Sequence, residues 1–218
     1  MVVSSKPFLI FDFDGTLANT FAFGVEIFNE VAPAYGLAEI SVARVQQLRK
    51  LTTQEILDEL HISRVMAIKM GAQIRKILHS RMEQVEPIDG AREAILNLHQ
   101  EGFRLGILSS NSVGNIRAFL EKTEMLECFS FIEAGVSLFG KSTRIANVLR
   151  KKSLSPTEVI YVGDETRDME AARKNHVSAL AVCWGANGRE ALEGESPEFC
   201  IDDPVDLLGC AQAFASKE

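Results

Sequence analysis

FLIFDFDGTLANT, residues 8–20, is the stretch on which the fold turns. Phe8 to Asp12 is a short apolar run that ends in polar residues and a glycine, the pattern of a buried strand feeding a loop. The pattern recurs downstream. RLGIL (Arg104 to Leu108) ends at Ser109-Ser110-Asn111, VIYV (Val159 to Val162) ends at Gly163-Asp164, and ALAV (Ala179 to Val182) follows, with Phe131-Ile132 a weaker strand. Between these runs apolar residues fall at helical spacing: Ala91, Ala94, Ile95 and Leu98 before a stop at Gly102, then Val113 to Leu120, then Ile145, Val148 and Leu149, then Met169 and Ala172. Strands alternating with amphipathic helices pair in parallel through right-handed crossovers. The expected fold is α/β, a three-layer Rossmann-like core with a mainly parallel sheet. Ligands of such sheets gather beyond the carboxyl ends of the strands, where the polar clusters fall.

The alternation breaks between Thr20 and Val85, where no strand pattern occurs. Val25, Phe28, Val31 and Ala32 suggest one helix, and Ile56, Leu57 and Leu60 another. Met66, Met70, Ile74, Ile77, Leu78 and Met82 suggest a longer one, its methionine stripe suited to simple packing. Residues 20–85 therefore read as an all-helical segment inserted into a core made of residues 1–19 and 86–218. Pro87 and Gly90 punctuate the return, and the C-terminal ASKE reads as a frayed end.

Composition narrows the function. With 218 residues, 46% of them hydrophobic and 24% charged, the chain can bury a substantial core. Its 23 Lys and Arg against 30 Asp and Glu give a net charge of −7, which disfavours nucleic acid as a partner. No stretch approaches the roughly 20 apolar residues that cross a bilayer, so no membrane role is expected. The N-terminal MVVSSKPFLIF lacks the sustained apolar segment of a signal peptide. Cys128, Cys183, Cys200 and Cys210 show no CxxC spacing. Packed, reduced thiols in a cytoplasmic protein are the expectation.

Asp12-Phe13-Asp14-Gly15-Thr16 concentrates the chemistry. Alternate residues of an extended chain project to one side, so Asp12 and Asp14 can face one site. Adjacent carboxylates repel unless a cation or a proton resolves the conflict. Alone, Asp14-Gly15 reads as a turn, but a turn does not explain a carboxylate at Asp12. Gly163-Asp164-Glu165-Thr166-Arg167-Asp168 repeats the logic. Asp164 and Asp168, four apart, share one side of a starting helical turn, although an Asp there is also a common cap. Hard oxygen ligands from two strand ends suit Mg²⁺. Ser109 reads as a helix cap or a phosphate ligand ahead of a helix start, and Lys141, in FGKS, as a surface lysine or a site cation.

DFDGT at 12, a strand-end Ser at 109, a Lys at 141 and GDETRD at 163–168, in that order, resemble the four motifs of the haloacid dehalogenase superfamily, over nearly the whole chain. DFDGTLANT and AVCWG are most similar to its phosphoglycolate phosphatase-like branch. The resemblance implies a cap between the first and second motifs. It also implies that Asp12 attacks phosphorus to form an aspartyl-phosphate, while Asp14 protonates the leaving alcohol and then activates water. Ser109 and neighbouring backbone N–H groups would hold phosphate, and Lys141 would neutralise Asp12 and the transferring group. Mg²⁺ would be bound by Asp12, the main-chain carbonyl of Asp14 and Asp164, with Asp168 a ligand or a second-shell acceptor. Two positions depart from the pattern: Ser110 stands where Asn is frequent, with Asn111 after it, and Ser142 stands where Pro is frequent.

Ser110, Asn111 and Thr16 complete the expected phosphate-binding set. Asp14 argues against a dehalogenase or a phosphonatase, whose patterns lack it. The expected activity is hydrolysis of a small phosphorylated metabolite, phosphoglycolate or similar. The alternatives are a phosphosugar mutase and a non-catalytic binding module. Arg49, beside Lys50 in an expected loop between cap helices, reads as a solvated basic turn or as the partner of an anionic substrate tail. An acidic protein taking an anion requires local reversal of sign, which Mg²⁺ and Lys141 are expected to supply.

Overall fold

The computed structural model describes residues 6–135 and 140–216. Its core is a six-stranded parallel sheet in the order β3-β2-β1-β4-β5-β6. The strands are β1 (Phe8–Phe11), β2 (Arg104–Ser109), β3 (Phe129–Ala134), β4 (Val159–Gly163), β5 (Ser178–Val182) and β6 (Phe199–Ile201). Alternation along the strands divides the core in two. Leu9, Phe11, Ile107, Ile160 and Val162 face helices α5 (Ala91–Gln100), α6 (Val113–Lys122) and α10 (Leu207–Ala215) through Ile95, Leu98, Phe119 and Leu207. Phe8, Ile10, Tyr161 and Ala181 face α7 (Gly140–Lys152), α8 (Thr166–Lys174) and α9 (Arg189–Glu193) through Ile145, Leu149, Met169 and Leu192. Helices cover both faces of the parallel sheet, giving the three layers.

The strand order locates the ligand site. From β1 the chain builds outward through β2 and β3, then crosses back to lay β4 on the other side of β1. Connections diverge there, leaving a crevice at the carboxyl ends of β1 and β4. Asp12 follows β1 and Asp164 follows β4.

Between β1 and β2 run α1 (Thr20–Val31), α2 (Val42–Leu48), α3 (Thr53–Glu59) and α4 (Arg64–Ser80). Helix α1 packs on α4, burying Ile27, Val31, Met70 and Leu78. The chain leaves and rejoins the core side by side: Asn19 N–H donates to the Glu86 carbonyl at 2.9 Å and Ile88 N–H to that of Leu17 at 2.9 Å.

Four elements lie outside the sequence reading: α2, α9, β6 and α10. Helix α2 has seven residues and takes its start from Ser41, whose hydroxyl accepts from Arg44 N–H. Strand β6 has three residues, and α10 continues as helix through Ala215 of the expected frayed end, whose last two residues lie outside the described ones, as do residues 1–5. The cysteines are free, but Cys183 and Cys200, distant in sequence, lie with their sulfurs 3.3 Å apart at the ends of neighbouring strands.

Candidate active site

Asp12 leaves β1 still bonded to β4, its N–H donating to the Val162 carbonyl at 2.8 Å. The chain then coils tightly, with Leu17 and Ala18 N–H both donating to the Phe13 carbonyl at 3.0 Å. Gly15 makes this turn at φ +76°, and a Cβ there would stand 2.3 Å from Asp164 Oδ2. Only glycine permits both the backbone sign and the approach.

The two carboxylates of the motif occupy different surroundings. Asp12 Oδ2 accepts from Lys141 Nζ at 2.6 Å, and its Oδ1 accepts from Phe13 N–H at 2.7 Å. Among the described residues Asp14 has no comparable ion pair. Asn111 Nδ2 donates to its two oxygens at 3.0 and 3.1 Å, and Ser109 Oγ lies 3.5 Å away. Burial, followed by the charge of Asp12, pushes the Asp14 carboxyl up to about 6.

Asp12, Asp164 and Asp168, all buried, each place a carboxylate oxygen within 4.8 Å of the others. Asp164 is held by Thr16 Oγ1 and by Ala186 N–H, both at 2.8 Å. Burial, then Glu165, Asp168 and Asp12, pushes its carboxyl well above the usual range. Lys141 Nζ joins Asp12 to Asp168, above the ring of Tyr161. Burial works against its charge, yet the two carboxylates hold the ammonium form well above its ordinary range. Lys141 pairs with only two of the three buried acids, which leaves them short of positive charge, and their hard oxygens fit a divalent cation. The Asp14 side chain is not part of this cluster.

Other expected residues take different places. The Thr16 hydroxyl is turned to Asp164, so it orients a carboxylate rather than facing substrate. Ser109 is fully buried and accepts from Asn111 N–H at 3.1 Å. Asn111 spends its amide on Asp14. Ser110 alone of the three is exposed. It borders a cavity of about 510 Å³ with Lys141, Arg75, Arg144 and Arg167. Arg75 of α4, with Arg144 and Arg167, thus adds positive charge beside Lys141.

Arg49 is neither solvated nor free. It caps the C-terminus of α2, its Nη2 donates to the Cys183 carbonyl at 2.6 Å, and its guanidinium lies over the Phe21 ring. Only its Nε is buried without a partner. Its carbonyl accepts from Gly188 N–H at 2.7 Å, and Asn187 Nδ2 reaches the Leu51 carbonyl at 2.7 Å. The loop from 183 to 188 therefore grips both the α2–α3 loop and Asp164. Sequence offered no sign of this grip, because its donors are largely backbone groups.

Comparison with known proteins agrees with this arrangement. The haloacid dehalogenase-like hydrolase family matches residues 9–182. The chain belongs to that family. The hydrolase is 34% identical over 200 residues to a phosphoglycolate phosphatase of Synechococcus elongatus, covering 92% of this chain and 94% of that one. It is 23% identical over 204 residues to the pyrophosphatase PpaX of Bacillus cereus, at 92% and 94% coverage. In fold, the hydrolase is similar to a haloacid dehalogenase-like hydrolase from Streptococcus pneumoniae, with a TM-score of 0.77, 18% identity and coverage of 95% and 99%.

Proposed function

We propose that the chain is a Mg²⁺-dependent phosphatase that hydrolyses a small phosphomonoester through an aspartyl-phosphate on Asp12. One observation carries this reading: two carboxylates two residues apart are placed in opposite circumstances, one ion-paired and one protonatable. Such a split separates a nucleophile from an acid. The phosphatase named in the most identical relative above supports the same reading.

In this scheme an Asp12 oxygen attacks phosphorus while the bond to the leaving alcohol breaks, and the Asp14 carboxyl gives that alcohol its proton. The resulting Asp14 carboxylate takes a proton from water, which attacks the acyl phosphate and releases inorganic phosphate. Lys141 faces the charge that builds on the transferring oxygens, and Asp168 positions Lys141. Asn111 and Ser109 orient Asp14, while Thr16 and Ala186 N–H orient Asp164. Mg²⁺, held by Asp12, Asp164 and the Asp14 carbonyl, would neutralise the carboxylates and the phosphoryl oxygens. Residues 20–85 would form the cap over this centre, where they shape the alcohol's surroundings and exclude water.

The test is Mg²⁺-dependent phosphate release from an aryl phosphate. Asp12→Asn should lower it by at least about 10³-fold. No release by the wild type, or equal release by the variant, contradicts the reading. Isomerised product with little free phosphate from a sugar bisphosphate would identify a mutase instead.

A further inference from the structure

The centre opens on a cavity of about 430 Å³ that reaches from Asp14, Gly15 and Asp164 into the helical insertion. Its walls come from all four helices and are almost wholly apolar: Phe21, Val25, Val45, Leu57, Leu60 and Ile74 each line it. These side chains are only half-buried, so part of their apolar surface stays open to the cavity. Among the described residues Arg49 is the one cationic side chain on the wall, and its guanidinium already serves Cys183 and Phe21.

Asp14 stands at the mouth. On the phosphatase reading, on which this step rests, Asp14 protonates the leaving alcohol, so that oxygen must lie beside it and the rest of the alcohol must extend into this space. We infer that the hydrolase selects phosphomonoesters whose alcohol carries an apolar body of several carbons, and that the α1–α4 cavity is its binding site. A leaving group as small and charged as glycolate would leave most of the space unfilled and would meet apolar walls. Water, at about 30 Å³ per molecule, fills it poorly because the walls offer almost no hydrogen bonds. Displacing that water with methylene groups is favourable, by about fourfold in affinity for each one buried.

The experiment uses the whole protein with Mg²⁺ and a series from methyl to hexyl phosphate, with phosphoglycolate measured alongside. The expected result is a kcat/KM that climbs about fourfold per added methylene until the cavity is filled, with hexyl phosphate above phosphoglycolate. Gly24→Leu gives a second arm. Gly24 lines the cavity on α1, and a Cβ there meets nothing within 4 Å, so the larger side chain enters open space. It should cut the hexyl-to-methyl ratio by about tenfold or more. Calorimetry with methyl- and hexylphosphonate reads occupancy without turnover. Turnover with no dependence on chain length overturns the inference and leaves the phosphatase reading standing. No turnover of any ester, with hexylphosphonate still bound more tightly than methylphosphonate, removes that reading and keeps the apolar site. A flat series in both measurements overturns the inference outright.

Discussion

At the carboxyl end of the sheet, Asp12, Asp164 and Asp168 are buried, and donors from distant parts of the chain hold each of them. Across the cavity, α1–α4 present half-buried aliphatic and aromatic side chains with almost no polar network. The first region spends its sequence on geometry. Gly15 and Gly185 are bare because a Cβ at either would strike Asp164, at 2.3 and 2.2 Å. The second spends its sequence on surface character and leaves room. On the proposed function, chemistry that tolerates little displacement is built on strand ends, and recognition falls to an insertion whose packing can vary. The two meet through the 183–188 loop, which holds Asp164 on one side and the α2–α3 loop on the other.

The sharpest way to break this division is at Lys141. Lys141→Met should lower kcat/KM by about 10²- to 10³-fold. It should also lower stability by about 3–5 kcal/mol without Mg²⁺, because Asp12 and Asp168 lose their shared cation inside the protein. Thermal unfolding in chelator checks the second effect, and an unchanged melting temperature would show that the pair is not held as described. Asn111 gives a smaller effect of defined sign. A proton is needed on Asp14 only for a poor leaving group, so kcat/KM for an alkyl phosphate should fall as pH rises past about 6, while an activated acyl phosphate shows no such limb. The Asn111 donor favours the charged carboxylate, so Asn111→Ala should move that limb to higher pH. A limb that stays in place would detach Asn111 from Asp14.

The smallest effect is expected where the two regions touch. Arg49→Ala removes one hydrogen bond to Cys183, and KM should rise about fivefold for neutral and acidic esters alike. A rise confined to acidic esters would restore Arg49 as the partner of a substrate anion.

Much of the first region is legible in sequence, and less of the second. FLIF, RLGIL and VIYV are too apolar and too short for anything but buried strands, and Asp12, Ser109 and Asp164 sit where such strands end, while Lys141 opens α7. Partnerships across the fold leave no local mark. Asn111 and Asp14 meet across 97 positions, so Asn111 read as a phosphate ligand. Thr16 likewise reads as facing substrate until β4 brings Asp164 beside it. Strand β6 carries three residues, too few for an alternation to show. The cavity is harder still, because the apolar residues that line it have the same helical spacing as those that pack the insertion.

On the proposed function Asp12 and Asp14, two residues apart, perform different steps. Asp14→Asn isolates them: with an aryl phosphate, whose leaving group needs no acid, attack by Asp12 should proceed while activation of water fails. Rapid acid quench and mass spectrometry of the peptide containing both positions should then find phosphate bound covalently to Asp12. A variant that turns over at the wild-type rate, or that carries phosphate on another residue, would contradict the account.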